Sequence, residues 1–188
     1  MYKIVEFSKV LMKDFISSLD KENITCVDAT LGNGNDSLFL SNLVKDKGTI
    51  FAYDIQALSL ENSQKLFNEH NVTNVFMKLK SHEYIDEDNI DLAIFNLGFL
   101  PGSDKTIKTN KDSSINAIKA LLPKMNKDNM LLIICLYVGH PEGIEESIVI
   151  DEYLKTLPGS KYLVSKYQNY NRPTSPYVLT VSYTKRSV

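Results

Sequence analysis

The stretch VDATLGNGND, residues 27–36, combines the end of an apolar strand, two glycines one residue apart, and an acid on each side. Glycine permits positive φ and lets a ligand approach the backbone closely, and a following helix presents free N–H groups. Asp28 and Asp36 flank the pair Gly32 and Gly34. We therefore expect a ligand-binding turn between a strand and a helix.

Short apolar runs alternate with helical patterns on both sides of this turn. The patterns predict helices over 3–20, 35–45, 57–69, 111–124 and 142–156, and strands over 24–29, 49–54, 74–79, 91–96, 129–137, 161–168 and 177–184. Alternation of this kind favours parallel strands with right-handed crossovers, and the last two strands favour an antiparallel hairpin at one edge. The expected fold is α/β, a doubly wound, mostly parallel seven-stranded sheet, which binds ligands beyond the carboxyl ends of its strands.

Length and composition indicate one domain. The chain has 188 residues, of which 43% are hydrophobic and 23% charged, and no linker divides it. We predict a single domain over 1–188, with an N-terminal helix over 3–20, a cofactor half over 24–90 and a target-recognition half over 91–188. The apolar run over 130–138 is shorter than the ~20 residues that a membrane-spanning helix needs, and no signal-peptide core precedes it. The expected compartment is the cytoplasm.

Cysteine and charge usage narrow the function classes. Cys26 and Cys135 lie in predicted buried strands without a CxxC or Cys/His cluster, which argues against a disulfide framework and against a metal site. Net charge is −2, yet no acid follows Glu152, and the tail carries several lysines and arginines. This asymmetry fits either a positive face for nucleic acid or a lysine-guarded strand edge.

Polar residues follow two further strands at the ligand-binding edge. Asp54 ends the second strand, where a carboxylate can accept both ribose hydroxyls of an adenosine. Ser81 and His82 follow the third strand, although His82 also fits a plain surface role. Ser37 stands where a dinucleotide-binding turn has its third glycine, and no P-loop is present. The pattern favours S-adenosylmethionine, whose cationic groups would lie near Asp28 or Asp36.

The segment FNLGFLPGSDK, residues 95–105, follows the fourth strand. Transfer of a methyl group to an amine requires acceptors that aim the nitrogen lone pair at the methyl carbon. Asn96 Oδ1 and the Leu97 carbonyl are candidates, with a loop-capping role for Asn96 as the alternative. The amine must also lose a proton, and the candidate acceptors are Asp104, Tyr137 and His140.

Four segments carry a resemblance to a known family: DATLGNGNDSLFL, NLGFLPGSDK, YVGHPEG and YQNYNRPTSPYVLTV. Together they resemble the small bacterial family labelled rRNA methylases, whose members act as tRNA aminomethyluridine methyltransferases in Gram-positive bacteria. The resemblance implies a class I Rossmann-like methyltransferase that uses S-adenosylmethionine. The residues expected to bind the cofactor, from the turn and from this resemblance together, are Asp28, Thr30, Gly32, Asn33, Gly34, Asn35, Asp36, Asp54, Gln56, Ser81, His82 and Asn96. Residues implied to face the target base are Asn96, Leu97, Gly98, Asp104 and Lys105, and Tyr137, Gly139 and His140 would complete the rim.

The expected reaction is N-methylation of 5-aminomethyl(-2-thio)uridine at the tRNA wobble position. The partner is then the anticodon stem-loop, and the phosphate-binding candidates are Lys105, Lys108, Lys166 and Arg172. Tyr167 or Tyr170 could stack on a base, with strand packing as the alternative. An rRNA base N-methyltransferase and a non-catalytic adenosine-binding regulatory module are the competing hypotheses. The sequence leaves open whether the chain forms a homodimer.

Overall fold

The computed structural model describes residues 3–98 and 111–184. Its α-helices are α1 (Ile4–Ser18), α2 (Asn35–Val44), α3 (Ala57–Glu69), α4 (Lys111–Leu121) and α5 (Pro141–Lys155). Its strands are β1 (Ile24–Asp28), β2 (Gly48–Asp54), β3 (Val75–Leu79), β4 (Leu92–Leu97), β5 (Leu131–Leu136), β6 (Tyr162–Tyr167) and β7 (Tyr177–Tyr183). Three short 3-10 helices lie over 45–47, 82–84 and 122–124.

The strands form one seven-stranded sheet in the order β3-β2-β1-β4-β5-β7-β6. The first five strands in this order pair in parallel, and β7 pairs antiparallel with both β5 and β6. The predicted fold and edge hairpin are therefore confirmed. Strand order reverses direction between β1 and β4, and a crevice forms at such a switch point beyond the carboxyl ends of the strands.

Helices cover both faces of the sheet. Alternate residues of one strand point to opposite faces, so that Cys26 packs with α1 and α2 while Val27 packs with α4 and α5. Phe67 of α3 packs on Ala52 of β2, which lies on the same face as α1 and α2. Burial from both sides explains why β5 is a continuous apolar run, LLIICL, without a polar alternation.

The predicted elements all exist, and the differences lie at their ends. The predicted helix over 111–124 ends at Leu121 and continues as a 3-10 turn, because Pro123 has no N–H to donate to an α-helical bond. The predicted strand over 129–137 is shorter, Leu131–Leu136. Within the described ranges, no helix is long and apolar enough to cross a membrane.

Candidate functional site

A cavity of about 700 Å³ opens at the carboxyl ends of the strands, where the strand order reverses. Several segments that are far apart in the chain form its wall. The lining residues are Val5, Ala29, Thr30, Leu31, Gly32, Asn33, Asn35, Asp36, Tyr53, Asp54, Ile55, Gln56, Lys80, Ser81, His82, Asn96, Gly98, Ser113, Tyr137, Gly139, His140 and Pro176. The structure thus brings together most of the predicted cofactor-binding residues; Asp28 and Gly34 do not line the cavity.

The glycine turn is held rigidly between β1 and β2. The Gly32 N–H donates to Asp54 Oδ2 at 3.0 Å, and the Leu31 N–H donates to the Tyr53 carbonyl at 2.9 Å. Gly34 has φ of +78°, and a Cβ added there would lie 2.8 Å from Ser63 Oγ. Gly34 therefore lets the turn pack against α3, which is a structural requirement rather than a contact with the cavity.

Asp28 lies beneath the cavity floor and is buried. Its carboxylate accepts hydrogen bonds from Ser37 Oγ at 2.6 Å and from the Thr30 N–H at 3.1 Å. Ser37, the residue that replaces a third glycine, thus serves to hold this acid. Burial, with Asp36 nearby, raises the pKa of Asp28 to about 7.

Asp36 and Asn96 form the polar centre of the cavity. The Asn96 N–H donates to Thr30 Oγ1 at 2.8 Å, and Asn96 Nδ2 donates to Asp36 Oδ2 at 3.2 Å. Asp36 is only 9% exposed, and burial raises its pKa, opposed by the Asn96 bond and by the charge of Lys9. With its amide nitrogen facing Asp36, Asn96 keeps Oδ1 as an acceptor.

The opposite end of the cavity suits an adenosine. Asp54 Oδ1 accepts from the Gln56 N–H at 2.9 Å, which fixes the carboxylate at the end of β2. Ile55 follows and is 58% exposed, an apolar surface suited to a flat base. His82 Nδ1 lies 3.2 Å from the Ala29 carbonyl, so Nδ1 carries the proton and Nε2 is an acceptor. Among the described residues, this buried Nε2 has no hydrogen-bond partner.

Two side chains at the rim are candidates for removing a proton. His140 Nδ1 accepts from the Gly143 N–H at 3.0 Å and so caps α5. A Cβ added at Gly143 would lie 2.1 Å from the Tyr137 carbonyl, so only glycine permits this close approach. Burial raises the pKa of Tyr137 above its usual value, which keeps its phenol neutral. His140 therefore already serves as a cap, and Tyr137 is a weak proton acceptor.

The predicted residues Leu97, Lys166 and Arg172 do not line the cavity. The Leu97 side chain is buried in the core, and only the following Gly98 lines the cavity. Lys166 Nζ lies 3.7 Å from Asp151 Oδ2 and over the Tyr177 ring. Arg172 is exposed in the loop between β6 and β7. Asp104, Lys105 and Lys108 lie outside the described residues.

Several lining residues were not predicted. Val5 comes from α1, Ser113 from α4 and Pro176 from the tail, and no local pattern places these segments at the same sheet edge. Ile55 could have been predicted from the sequence, since an apolar residue directly after a strand-end acid is suited to pack on a base. In the part of the chain that the structure describes, no group of three or more His, Cys, Asp and Glu residues could hold a metal ion.

Comparisons with known proteins show the family to which this chain belongs. Residues 50–182 match a family model described as "Putative rRNA methylase". The "tRNA (mnm(5)s(2)U34)-methyltransferase, chloroplastic" of Arabidopsis thaliana is 32% identical over 191 residues, which cover 94% of this chain and 68% of that protein.

Two solved structures are similar over almost their whole length. A "putative rRNA-methylase" from Clostridium thermocellum has a TM-score of 0.89 at 29% identity and covers 98% of this chain and 99% of its own. A "putative methyltransferase" from Streptococcus mutans, solved "in complex with SAH", has a TM-score of 0.82 at 29% identity with the same coverage. Both chains therefore correspond to this one from end to end.

Proposed function

Because this chain belongs to the family described as "Putative rRNA methylase" and is an S-adenosylmethionine-dependent methyltransferase, we propose that it methylates the amine of 5-aminomethyluridine at the tRNA wobble position. The base carries either oxygen or sulfur at position two. The product is the 5-methylaminomethyl nucleoside. The observation that carries this proposal is the orientation of the Asn96 side chain, whose amide nitrogen faces Asp36 and whose Oδ1 remains an acceptor beside the cavity.

The cavity residues fit S-adenosylmethionine. Asp54 would accept the ribose hydroxyls, Ile55 would pack on the adenine, and the buried Nε2 of His82 would accept a hydrogen bond from its amino group. Asp36 would face the positive charge of the ligand, which accounts for a buried carboxylate that has no ion-pair partner among the described residues. When bound, the cofactor supplies an activated methyl group on a sulfonium.

An amine substrate agrees with the acceptors at the end of β4. Asn96 Oδ1 would accept a hydrogen bond from the amine and thereby orient its lone pair, which contributes through positioning. A carbon acceptor more often requires a cysteine nucleophile. Burial raises the pKa of Cys135 to about 12 and that of Cys26 further, so neither forms a thiolate near neutral pH. The side chains therefore favour nitrogen over carbon as the methyl acceptor.

The amine must be neutral to react. Desolvation disfavours an ammonium ion, so entry of the amine into the cavity lowers its pKa. Tyr137 stays protonated and His140 already accepts from the backbone of α5, so these two side chains add little as bases. Proton loss to water, driven by burial of the amine, is the route that these residues support.

The substrate is tested with RNA from cells that lack the final methyl group. Bulk tRNA and separated ribosomal subunits are incubated with the protein and cofactor labelled on the methyl group, and nucleosides are analysed by mass spectrometry. We expect label in 5-methylaminomethyl nucleosides of tRNA. Label in a ribosomal base would replace the proposal with an rRNA methyltransferase. Cofactor binding without label in either RNA would favour an adenosine-binding regulatory module.

A further inference from the structure

We propose that Tyr170 stacks on a base next to the wobble nucleoside, so that the loop over 168–176 is an RNA-binding surface at the cavity rim. This inference rests on the proposed function and names part of the surface that would hold the anticodon loop. The two tyrosines that the sequence offers for base stacking, Tyr167 and Tyr170, differ in the structure. The ring of Tyr167 stacks on Phe7 at a centroid distance of 3.9 Å, whereas Tyr170 is 102% exposed.

The loop is held in a defined shape by its own hydrogen bonds. Gln168 Nε2 donates to the carbonyls of Pro173 at 2.9 Å and Ser175 at 3.0 Å. The Arg172 N–H donates to the Asn169 carbonyl at 3.0 Å. A braced loop presents an aromatic ring without the entropy cost of ordering the chain on binding. The exposure of Tyr170 is therefore a property of a built loop.

The loop lies at the same edge of the sheet as the cavity. Tyr177 at the start of β7 pairs with Leu136 at the carboxyl end of β5, and Pro176 lines the cavity. The loop thus leads directly into the wall of the proposed active site. A nucleic acid that reaches into the cavity must pass this rim.

The chemistry of the loop favours RNA. A nucleoside that enters a cavity must leave the stack of its neighbours, which exposes the face of an adjacent base. An aromatic side chain can cover that face and is tolerant of sequence. Tyr170 is surrounded in sequence by polar residues, QNYNRPTSP, and Arg172 is the single charged residue of the loop. A lone aromatic among polar groups and a cation suits an RNA loop better than an apolar protein interface.

The test uses a fluorescent anticodon stem-loop and measures its dissociation constant by anisotropy. Tyr170→Ala should weaken binding about tenfold, whereas Tyr170→Phe should bind like the wild type, because stacking needs only the ring. The slope of affinity against salt should not change in Tyr170→Ala, since no phosphate contact is lost. Leu163→Ala is the matched control, because this residue is 54% exposed on β6 at the opposite end of the sheet.

A second measurement locates the stacked base. Stem-loops carrying 2-aminopurine on either side of the wobble position should lose fluorescence on binding wild-type protein, and Tyr170→Ala should abolish the loss at one position. Equal affinity and equal quenching in Tyr170→Ala would overturn the inference while leaving the proposed function intact. Failure of the wild type to bind or methylate the stem-loop would instead overturn the proposed function. A shift in self-association caused by Tyr170→Ala, without loss of RNA affinity, would assign the ring to a contact between copies.

Discussion

Two buried carboxylates at opposite ends of the sheet differ in their hydrogen-bond and ion-pair partners. Asp91, at the amino-terminal end of β4, accepts from Lys21 Nζ at 2.9 Å, from the Thr25 N–H at 2.9 Å and from Asn126 Nδ2 at 2.9 Å. Asp36, at the carboxyl end, has one amide donor, Asn96, and within the described ranges no cation in ion-pair contact. One charge is fully partnered by the protein, and the other is left facing a cavity.

This difference in partners distinguishes a carboxylate that stabilises the fold from one suited to bind a ligand. A buried charge that is paired and hydrogen-bonded holds segments together, here β1, β4 and the 126 turn. A buried charge without a counter-ion costs free energy unless a ligand supplies the partner. Natural proteins accept such costs at functional sites. We therefore propose that Asp91 serves the fold and that Asp36 serves the ligand, and four experiments bear on this contrast.

The largest expected effect is on stability. Asp91→Ala leaves Lys21, Asn126 and the Thr25 N–H without their acceptor, so the free energy of unfolding should fall by about 3 kcal/mol. Urea denaturation measures this loss. S-adenosylmethionine affinity at low temperature, where the variant is folded, should stay near the wild-type value. A large loss of affinity in the folded variant would mean that the two ends of the sheet are not independent.

The next effect is on catalysis. Asn96→Ala removes the hydrogen-bond donor to Asp36 and the proposed acceptor for the amine, so turnover should fall on the order of 100-fold. Calorimetry should find cofactor affinity within a few-fold of the wild type. Ser113→Ala is a suitable control, because Ser113 lines the same cavity without a proposed role. Loss of cofactor affinity in place of turnover would remove Asn96 from the acceptor role.

A smaller effect is expected on discrimination between cofactor and product. Asp36→Asn should weaken S-adenosylmethionine binding about tenfold and S-adenosylhomocysteine binding less, because only the former carries a sulfonium charge. Its free energy of unfolding should not fall, since the variant removes a buried charge that has no ion-pair partner among the described residues. Equal losses for both ligands would place the carboxylate near their shared ammonium group or in a structural role.

The smallest effect is on pH dependence. Since the pKa of Asp28 is raised to about 7, its carboxylate is ionised above that pH and protonated below it. An ionised carboxylate beneath the cavity attracts the cationic ligand more strongly than a protonated one, so S-adenosylmethionine affinity should decrease several-fold from pH 8 to pH 6. Asp28→Asn should flatten this pH profile. The raised pKa also means that ionising Asp28 opposes folding. Its contribution to the free energy of unfolding should fall as pH rises from about 4, the pKa of an unfolded aspartate, through about 7.

Much of the fold could be predicted because its signals are local. Strand–helix alternation and continuous apolar strands such as LLIICL define a parallel sheet, and strand ends then identify Asp54, His82 and Asn96 as neighbours. The glycine pair was also a sound indication of a turn. The two glycines have different roles, however, because Gly32 lines the cavity whereas Gly34 packs against Ser63 of α3.

Other features could not be predicted because they depend on distant segments. Val5 and Pro176 reach the cavity from opposite ends of the chain, and only the packing of α1 and β7 against β5 brings them together. The contrast between Tyr167 and Tyr170 depends on Phe7, which belongs to α1. Likewise, Asp28 is a strand-end acid in sequence, yet Ser37 and the Thr30 N–H hold it beneath the floor.

The proposed reaction transfers a methyl group from S-adenosylmethionine to an exocyclic amine of the wobble nucleoside. The most direct test incubates the protein and cofactor with two synthetic anticodon stem-loops, one carrying 5-aminomethyl-2-thiouridine and one carrying plain uridine at the wobble position. Mass spectrometry should find one added methyl group on the amine of the first and none on the second. Methylation of both stem-loops at another atom, or of neither, would contradict the proposed reaction.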